Sequence, residues 1–277
     1  MDERAVEPKL EWVEATGHQQ ARLATESVGS GQPFVWGHSL LGSMAQDLDG
    51  EVLAWRELTD IAQVLRFDAR GHGQSDTAGD PEDFRWDNLA RNMWQVIDHY
   101  TQDEVIIGGA SMGCATSLYA ACQRPDQVKG LVLVIPPTAW ELRDKMKRNY
   151  RFIANVVNVT RALPFRLLQL IPAPKQDQGF QKTMLGVMMK HLAKVKHTGV
   201  VGAMRGAALS DLPAREELAK LTMPVLILAW PDDATHPLSV AEELYDILPN
   251  AQIEVMTHAD DPYRWPKLVR KFITKLN

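Results

Sequence analysis

The chain is poor in most of the features that would place it in a special class. Two cysteines in 277 residues, Cys114 and Cys122, cannot form a disulfide framework. Eight residues apart in a segment that reads as helix, they are separated by about 12 Å along the axis, beyond disulfide reach. They lack metal-ligand spacing, and a reducing, cytoplasmic setting suits them. No long apolar run is present: L-V-L-V-I-P-P-T-A-W from Leu131 falls short of the ~20 residues of a membrane span. The opening M-D-E-R-A-V-E is acidic where a secretory signal is basic. There is no excess of positive charge either. Thirty Lys and Arg against 35 Asp and Glu give a net charge of -5, which excludes a basic footprint for nucleic acid. Repeats and low-complexity tracts are absent. The expectation is a protein that engages neither membrane nor nucleic acid, with ample length for a closed core.

Five short apolar runs then stand out: P-F-V-W (33–36), V-L-R-F (64–67), V-I-I (105–107), L-V-L-V-I (131–135) and V-L-I-L-A (225–229). Bounded by Gly, Pro or Asp, they read as parallel strands covered on both faces. A-Q-I-E-V-M (251–256) alternates as an edge strand does, and two alternating stretches before residue 30 predict an antiparallel pair. Helical patterns lie between. Trp86, Leu89, Met93, Ile97 and Tyr100 make one apolar face, and Leu268, Val269, Phe272, Ile273 and Leu276 another. Ser239 with Glu242 predicts a capping box. The alternation predicts an α/β fold with a doubly wound, mostly parallel sheet.

One interval interrupts it. From Thr138 to Leu221 there is only helical pattern, broken by Pro164, Pro172, Pro174, Gly179 and Gly199. This predicts a helical cap at 138–221 inserted into a core of 1–137 and 222–277, since an 84-residue loop is implausible. The cap's Met-rich stretch T-M-L-G-V-M-M-K-H-L (183–192) reads either as ordinary helix core or as a plastic pocket lining.

The chemistry concentrates at G-A-S-M-G, residues 109–113, directly between a strand and a helix. A turn this tight needs small flanking residues, hence Gly109 and Gly113, and it lifts the Ser111 hydroxyl above the sheet at a helix N-terminus. The alternative is a Gly-rich turn with an incidental serine. With V-W-G-H-S-L-L-G-S (35–43) and F-D-A-R-G-H-G-Q-S-D (67–76), the chain resembles the α/β-hydrolase family over its whole length. The first of these resembles the family's oxyanion loop, with Ser39 where Gly is more common. The resemblance implies backbone N–H donors at Leu40 and Met112, makes the second loop, His72 and His38 scaffold, and implies neither metal nor organic cofactor. A serine nucleophile excludes the branches that attack with aspartate.

The base is the irregular part. The family's acid slot, in the loop after V-L-I-L-A, holds Asp233. Its histidine slot, after the last strand, holds Asp261 in A-D-D-P, and the usual Gly-His is missing. Three arrangements stay open. His236 acts as base and Asp261 orients it; or His258, just past the last strand, acts with Asp233; or there is no base and the scaffold is a silent ligand-binding or receptor protein. The exchanged pair, His236 with Asp261, leads. The expected activity is hydrolysis of a small-molecule ester, thioester or lactone through an acyl-serine.

Overall fold

The computed structural model describes residues 8–50, 55–167, 170, 180–192, 194–231, 233–258 and 261–277, the side chains of 164, 180–185 and 261 excepted. Eight strands form one sheet in the order β1-β2-β4-β3-β5-β6-β7-β8. They are β1 (Glu11–Ala15), β2 (Ala21–Gly29), β3 (Gln32–Gly37), β4 (Ala62–Phe67), β5 (Val105–Ala110), β6 (Val128–Val134), β7 (Val225–Ala229) and β8 (Ala251–Val255). β1 pairs antiparallel with β2 and β2 antiparallel with β4, while all remaining neighbours are parallel. Each apolar run named above lies on one of these strands, with Ile135 and Met256 one residue past the ends of β6 and β8. β5 and β7 are buried at every position, as continuous apolar strands in a doubly covered sheet must be.

Helices cover both faces. α1 (Met44–Gly50), α2 (Trp86–Tyr100) and α3 (Met112–Gln123) accompany the first five strands; α9 (Leu238–Ile247) and α10 (Trp265–Leu276) accompany the last two. Two apolar clusters result. One gathers Leu89, Met93, Ile97 and Leu118 with β5 and β7 residues, and the other gathers Phe34, Trp36, Val269, Phe272 and Ile273. These are the apolar stripes legible in the sequence for α2 and α10. The capping box at Ser239 does not form. Pro237, with φ -61°, is the N-cap, so α9 starts at Leu238 and Ser239 falls inside its first turn, with no side-chain cap. A proline preset to a helical φ moves the start upstream of the serine.

Between β6 and β7 the described residues form helices and turns and no strand. The helices are α4 (Arg143–Thr160), α5 (Leu163–Leu167), α6 (Phe180–Leu192), α7 (His197–Leu209) and the short α8 (Arg215–Leu218). α4 packs along α7, and α6 meets α1. Buried Arg143 ties the layer together by donating to the carbonyls of Thr138, Ala207 and Ser210, with its guanidinium over the Trp86 ring. Of the methionine-rich stretch, Val187 is buried and Met188 exposed, while the side chains up to 185 lie outside the described residues. Among the described residues no helix is long and apolar enough to cross a membrane.

The sheet order reverses direction at β3 and β5, which pair in parallel with Gly37 beside Gly109. Crevices beyond the carboxyl ends of such strands are where open α/β sheets hold their sites. The loops after β3, β5 and β7 all leave that end.

Candidate active site

Ser111 sits between β5 and α3 with φ 53° and ψ -107°, a strained conformation for a residue with a side chain. Its N–H donates to Val134 O at 3.0 Å, which pins the turn against β6. The small flanking residues are required by contact. A Cβ at Gly113 would lie 2.0 Å from Gly37 O, and one at Gly109 would lie 2.5 Å from the Gly113 carbonyl carbon. The elbow therefore packs backbone to backbone on the end of β3, and Ser111 is buried, 8% exposed as a residue.

The partner comes from 125 residues away. The chain leaving β7 turns through Trp230 to Pro237, and His236 Nε2 lies 2.8 Å from Ser111 Oγ. Its Nδ1 lies 2.7 Å from Asp233 Oδ2. With Nδ1–H donated to the carboxylate, Nε2 carries the lone pair and accepts the serine proton. Asp233 also shapes the turn. Its Oδ1 accepts from the N–H of Thr235 at 2.8 Å and of His236 at 3.3 Å, while Oδ2 accepts from the Trp230 indole at 3.1 Å. Thr138 N–H donates to Thr235 O at 3.0 Å, tying the turn to the segment after β6. Burial pushes the Asp233 carboxyl up, but hydrogen bonding and charge from His236, with the Thr235 N–H and the indole, outweigh it. The carboxyl is held well below the ordinary carboxylate range.

The structure thus brings together Ser111, His236 and Asp233. The imidazole nitrogen that Asp261 was expected to engage is taken by Asp233. Asp261 begins a short 3-10 turn, Asp261–Arg264, and its side chain lies outside the described residues. The rival pairing of His258 with Asp233 is displaced in the same way: Asp233 serves His236, and His258 is exposed three residues beyond β8. The overlooked signal is the spacing D-x-x-H. An aspartate that accepts from the backbone two and three residues on curls the chain back, so that its second oxygen meets a side chain at the third position.

The loop expected to supply oxyanion donors follows β3. Gly42 N–H donates to Ser39 O at 2.8 Å, closing a turn with Leu40 and Leu41 at its centre and Leu41 at φ 63°. Among the described residues the Leu40 N–H makes no hydrogen bond, and Met112, as the first residue of α3, has no intrahelical acceptor. Both amides are available to a ligand. His38 is structural, with Nε2 accepting from Ala69 N–H at 2.9 Å and Nδ1 donating to Ser39 O at 2.8 Å. His72 donates from Nδ1 to Arg70 O at 2.9 Å. Burial, aided by His38, pushes the His72 pKa down to about 3 and burial pushes that of His38 down to about 4, so both rings are neutral scaffold. Cys114 and Cys122 are free, both on α3.

Comparison with known proteins bears on the family and the fold. A family model described as alpha/beta hydrolase fold matches residues 38–262. The chain is 22% identical over 204 residues to 3-oxoadipate enol-lactonase 2 of Acinetobacter baylyi, covering 70% of each. It is 25% identical over 198 residues to a poly(3-hydroxyalkanoate) depolymerase of Ectopseudomonas oleovorans, covering 70% of this chain and 67% of the other. Among solved structures, a thermophilic esterase from Thermogutta terrifontis superposes with a TM-score of 0.79 at 21% identity, over 97% of this chain and 99% of that one.

Proposed function

Since the chain belongs to the alpha/beta hydrolase family, we propose that it is a serine hydrolase cleaving small-molecule carboxylic esters or lactones through an acyl-serine. The observation that carries this reading is the relay Ser111 Oγ–His236 Nε2 at 2.8 Å and His236 Nδ1–Asp233 Oδ2 at 2.7 Å. A triad is defined by such geometry and roles rather than by chain order.

In this reading Ser111 Oγ attacks the carbonyl carbon as its proton passes to His236 Nε2, and Asp233 stabilises the imidazolium. The tetrahedral oxyanion forms against the N–H groups of Leu40 and Met112, fixed dipoles that a buried site makes worth a few kcal/mol of barrier. Collapse breaks the ester C–O bond, and His236 returns its proton to the leaving alkoxide. A water molecule then attacks the acyl-serine, giving a proton to His236 that finally restores the Ser111 hydroxyl. Residues 138–221 act as a cap over this site, a role supported by helices being the regular elements among the described residues between β6 and β7. Free thiols on α3 suit action in the reducing cytoplasm.

The test is a fluorophosphonate probe together with 4-nitrophenyl butyrate turnover. The wild type is expected to label once and to hydrolyse the ester, with both lost in Ser111→Ala. Labelling that persists in the variant removes Ser111 from the mechanism. A wild type that neither labels nor turns over identifies a silent binding scaffold.

A further inference from the structure

The net charge of -5 is an average over two unlike parts. Residues 145–210 carry 12 Lys and Arg and a single acidic residue, Asp177, a balance of +11. The rest of the chain, with 18 Lys and Arg against 34 Asp and Glu, stands at -16. Exposed apolar side chains concentrate in the same stretch. Of the 12 large hydrophobic residues exposed among the described residues, eight lie between Leu142 and Leu209. The helical segment between β6 and β7 is therefore both the basic part of the protein and the part with most uncovered apolar surface.

Helix α4 brings the two properties onto one face. Its buried side, with Arg143, Tyr150, Ala154 and Val157, packs along α7. Lys145, Arg148, Phe152 and Val159 follow one another at steps of three, four and seven. At about 100° of turn per residue they form a single stripe on the opposite side. All four are exposed, Phe152 at 70% and Val159 at 81%, where a surface helix ordinarily turns a polar side outward. Arg151 is exposed on the flank. Among the described residues, Lys145, Arg148 and Arg151 have no carboxylate within 4 Å. On α5, Leu163 and Leu167, one turn apart, are also at least half exposed.

An occupant of the stripe has to satisfy its cations and its apolar side chains together. Nucleic acid meets the cations but leaves Phe152 and Val159 in water. A second copy related by a twofold axis sets this basic face against itself, which like-charge repulsion disfavours. The boundary of an anionic bilayer accepts both, with headgroups facing the cations and the edge of the acyl layer receiving the apolar side chains. We propose that the outward face of α4 docks the protein on anionic phospholipid membranes. The helix lies in the plane of the interface, its buried side still held by α7. This docking is independent of the acyl-serine reading, so binding rather than turnover tests it.

The 277-residue chain is sedimented with vesicles of phosphatidylcholine alone and of phosphatidylcholine mixed with phosphatidylserine. Binding is expected on the anionic vesicles only, and it should weaken as salt rises. Lys145→Gln/Arg148→Gln should lower the partition coefficient about tenfold or more. Phe152→Ser/Val159→Ser should lower it by about tenfold as well. Circular dichroism should be unchanged in both, and Ser111→Ala should bind as the wild type does. Absence of binding to the anionic vesicles overturns the proposal, as does equal binding to both kinds. Binding that survives Phe152→Ser/Val159→Ser is adsorption by charge alone and overturns it too. So does tighter binding to duplex DNA that ignores the apolar pair, or a dimer in place of vesicle binding that this pair of substitutions dissolves. Stripe-dependent vesicle binding by a protein without esterase activity leaves the docking face standing and removes the hydrolase reading. Ser111-dependent esterase activity without vesicle binding does the reverse.

Discussion

The loops after β7 and β8 leave neighbouring parallel strands at the same end of the sheet, and each carries a histidine and at least one aspartate. They are built differently. In the β7 loop, Asp233 accepts four hydrogen bonds, from two backbone N–H groups, an indole and His236, and the turn is further tied to Thr138. The histidine arrives at Ser111 already oriented. In the β8 loop the chain is anchored at Met256, buried, whose N–H donates to Ala229 O, and His258 stands exposed two residues later. The lesson is that residue type and strand-end position do not make a base. A local turn that presets both the tautomer and the direction of the ring does, because little rotational freedom remains to be lost at reaction.

The sharpest way to break this comparison is to remove the two imidazoles in turn. His236→Ala should lower kcat/KM by roughly 10⁵-fold or more, as loss of a triad base does. His236→Ala remaining near wild type while His258→Ala collapses would transfer the base to the β8 loop.

Next in size is Asp233→Asn, which keeps the turn's shape but presents an amide that cannot stabilise the imidazolium. A loss on the order of 10⁴-fold in kcat is expected, measured under saturating 4-nitrophenyl butyrate. The same variant carries a stability signature whose sign follows from the depressed carboxyl. A folded-state pKa below the ordinary 3.8 means that the unfolded chain takes up its proton first as pH falls. The ionised carboxylate's stabilisation is therefore fully present above about pH 4 to 5 and is lost below it. Denaturant melts of wild type and Asp233→Asn should differ by on the order of 1 kcal/mol at pH 6, discounted for partial exposure, and converge toward pH 2. A gap that is flat with pH would count against the ionised carboxylate's hydrogen bond to His236.

The smallest effects belong to the β8 loop. His258→Ala and Asp261→Asn should each hold kcat/KM within about threefold, with unchanged circular dichroism, because His236 Nδ1 already has Asp233 as its partner. A hundredfold loss in Asp261→Asn would show that this carboxylate serves the relay as well.

Much of this was open to reading from the residues alone. Strands β3 to β8 follow from short apolar runs, because a strand covered on both faces has no polar side to show. The elbow at Ser111 follows from Gly109 and Gly113, because a strand-to-helix turn this tight excludes side chains, and the close approach of Gly113 to Gly37 gives the reason in atoms. His236 was nameable as a candidate partner of Ser111 because it leaves the right end of the right strand. The carboxylate bonded to its ring was not, since counting along the chain assigns slots while the Asp233 carboxylate meets its partners by the curl of its own turn. The start of α9 escaped for a similar reason, a fixed proline φ overriding a serine that looks like a cap. What the sequence by itself determined was the order of strands and helices and the tight elbow that presents Ser111 at the carboxyl end of the sheet, because periodicity and glycine sterics act within a few residues. What only the tertiary structure decided was the 2.8 Å meeting of Ser111 with a residue 125 positions away and the pairing of His236 with Asp233. Those depend on how β6 and β7 pair and on where backbone donors in the loop hold a carboxylate.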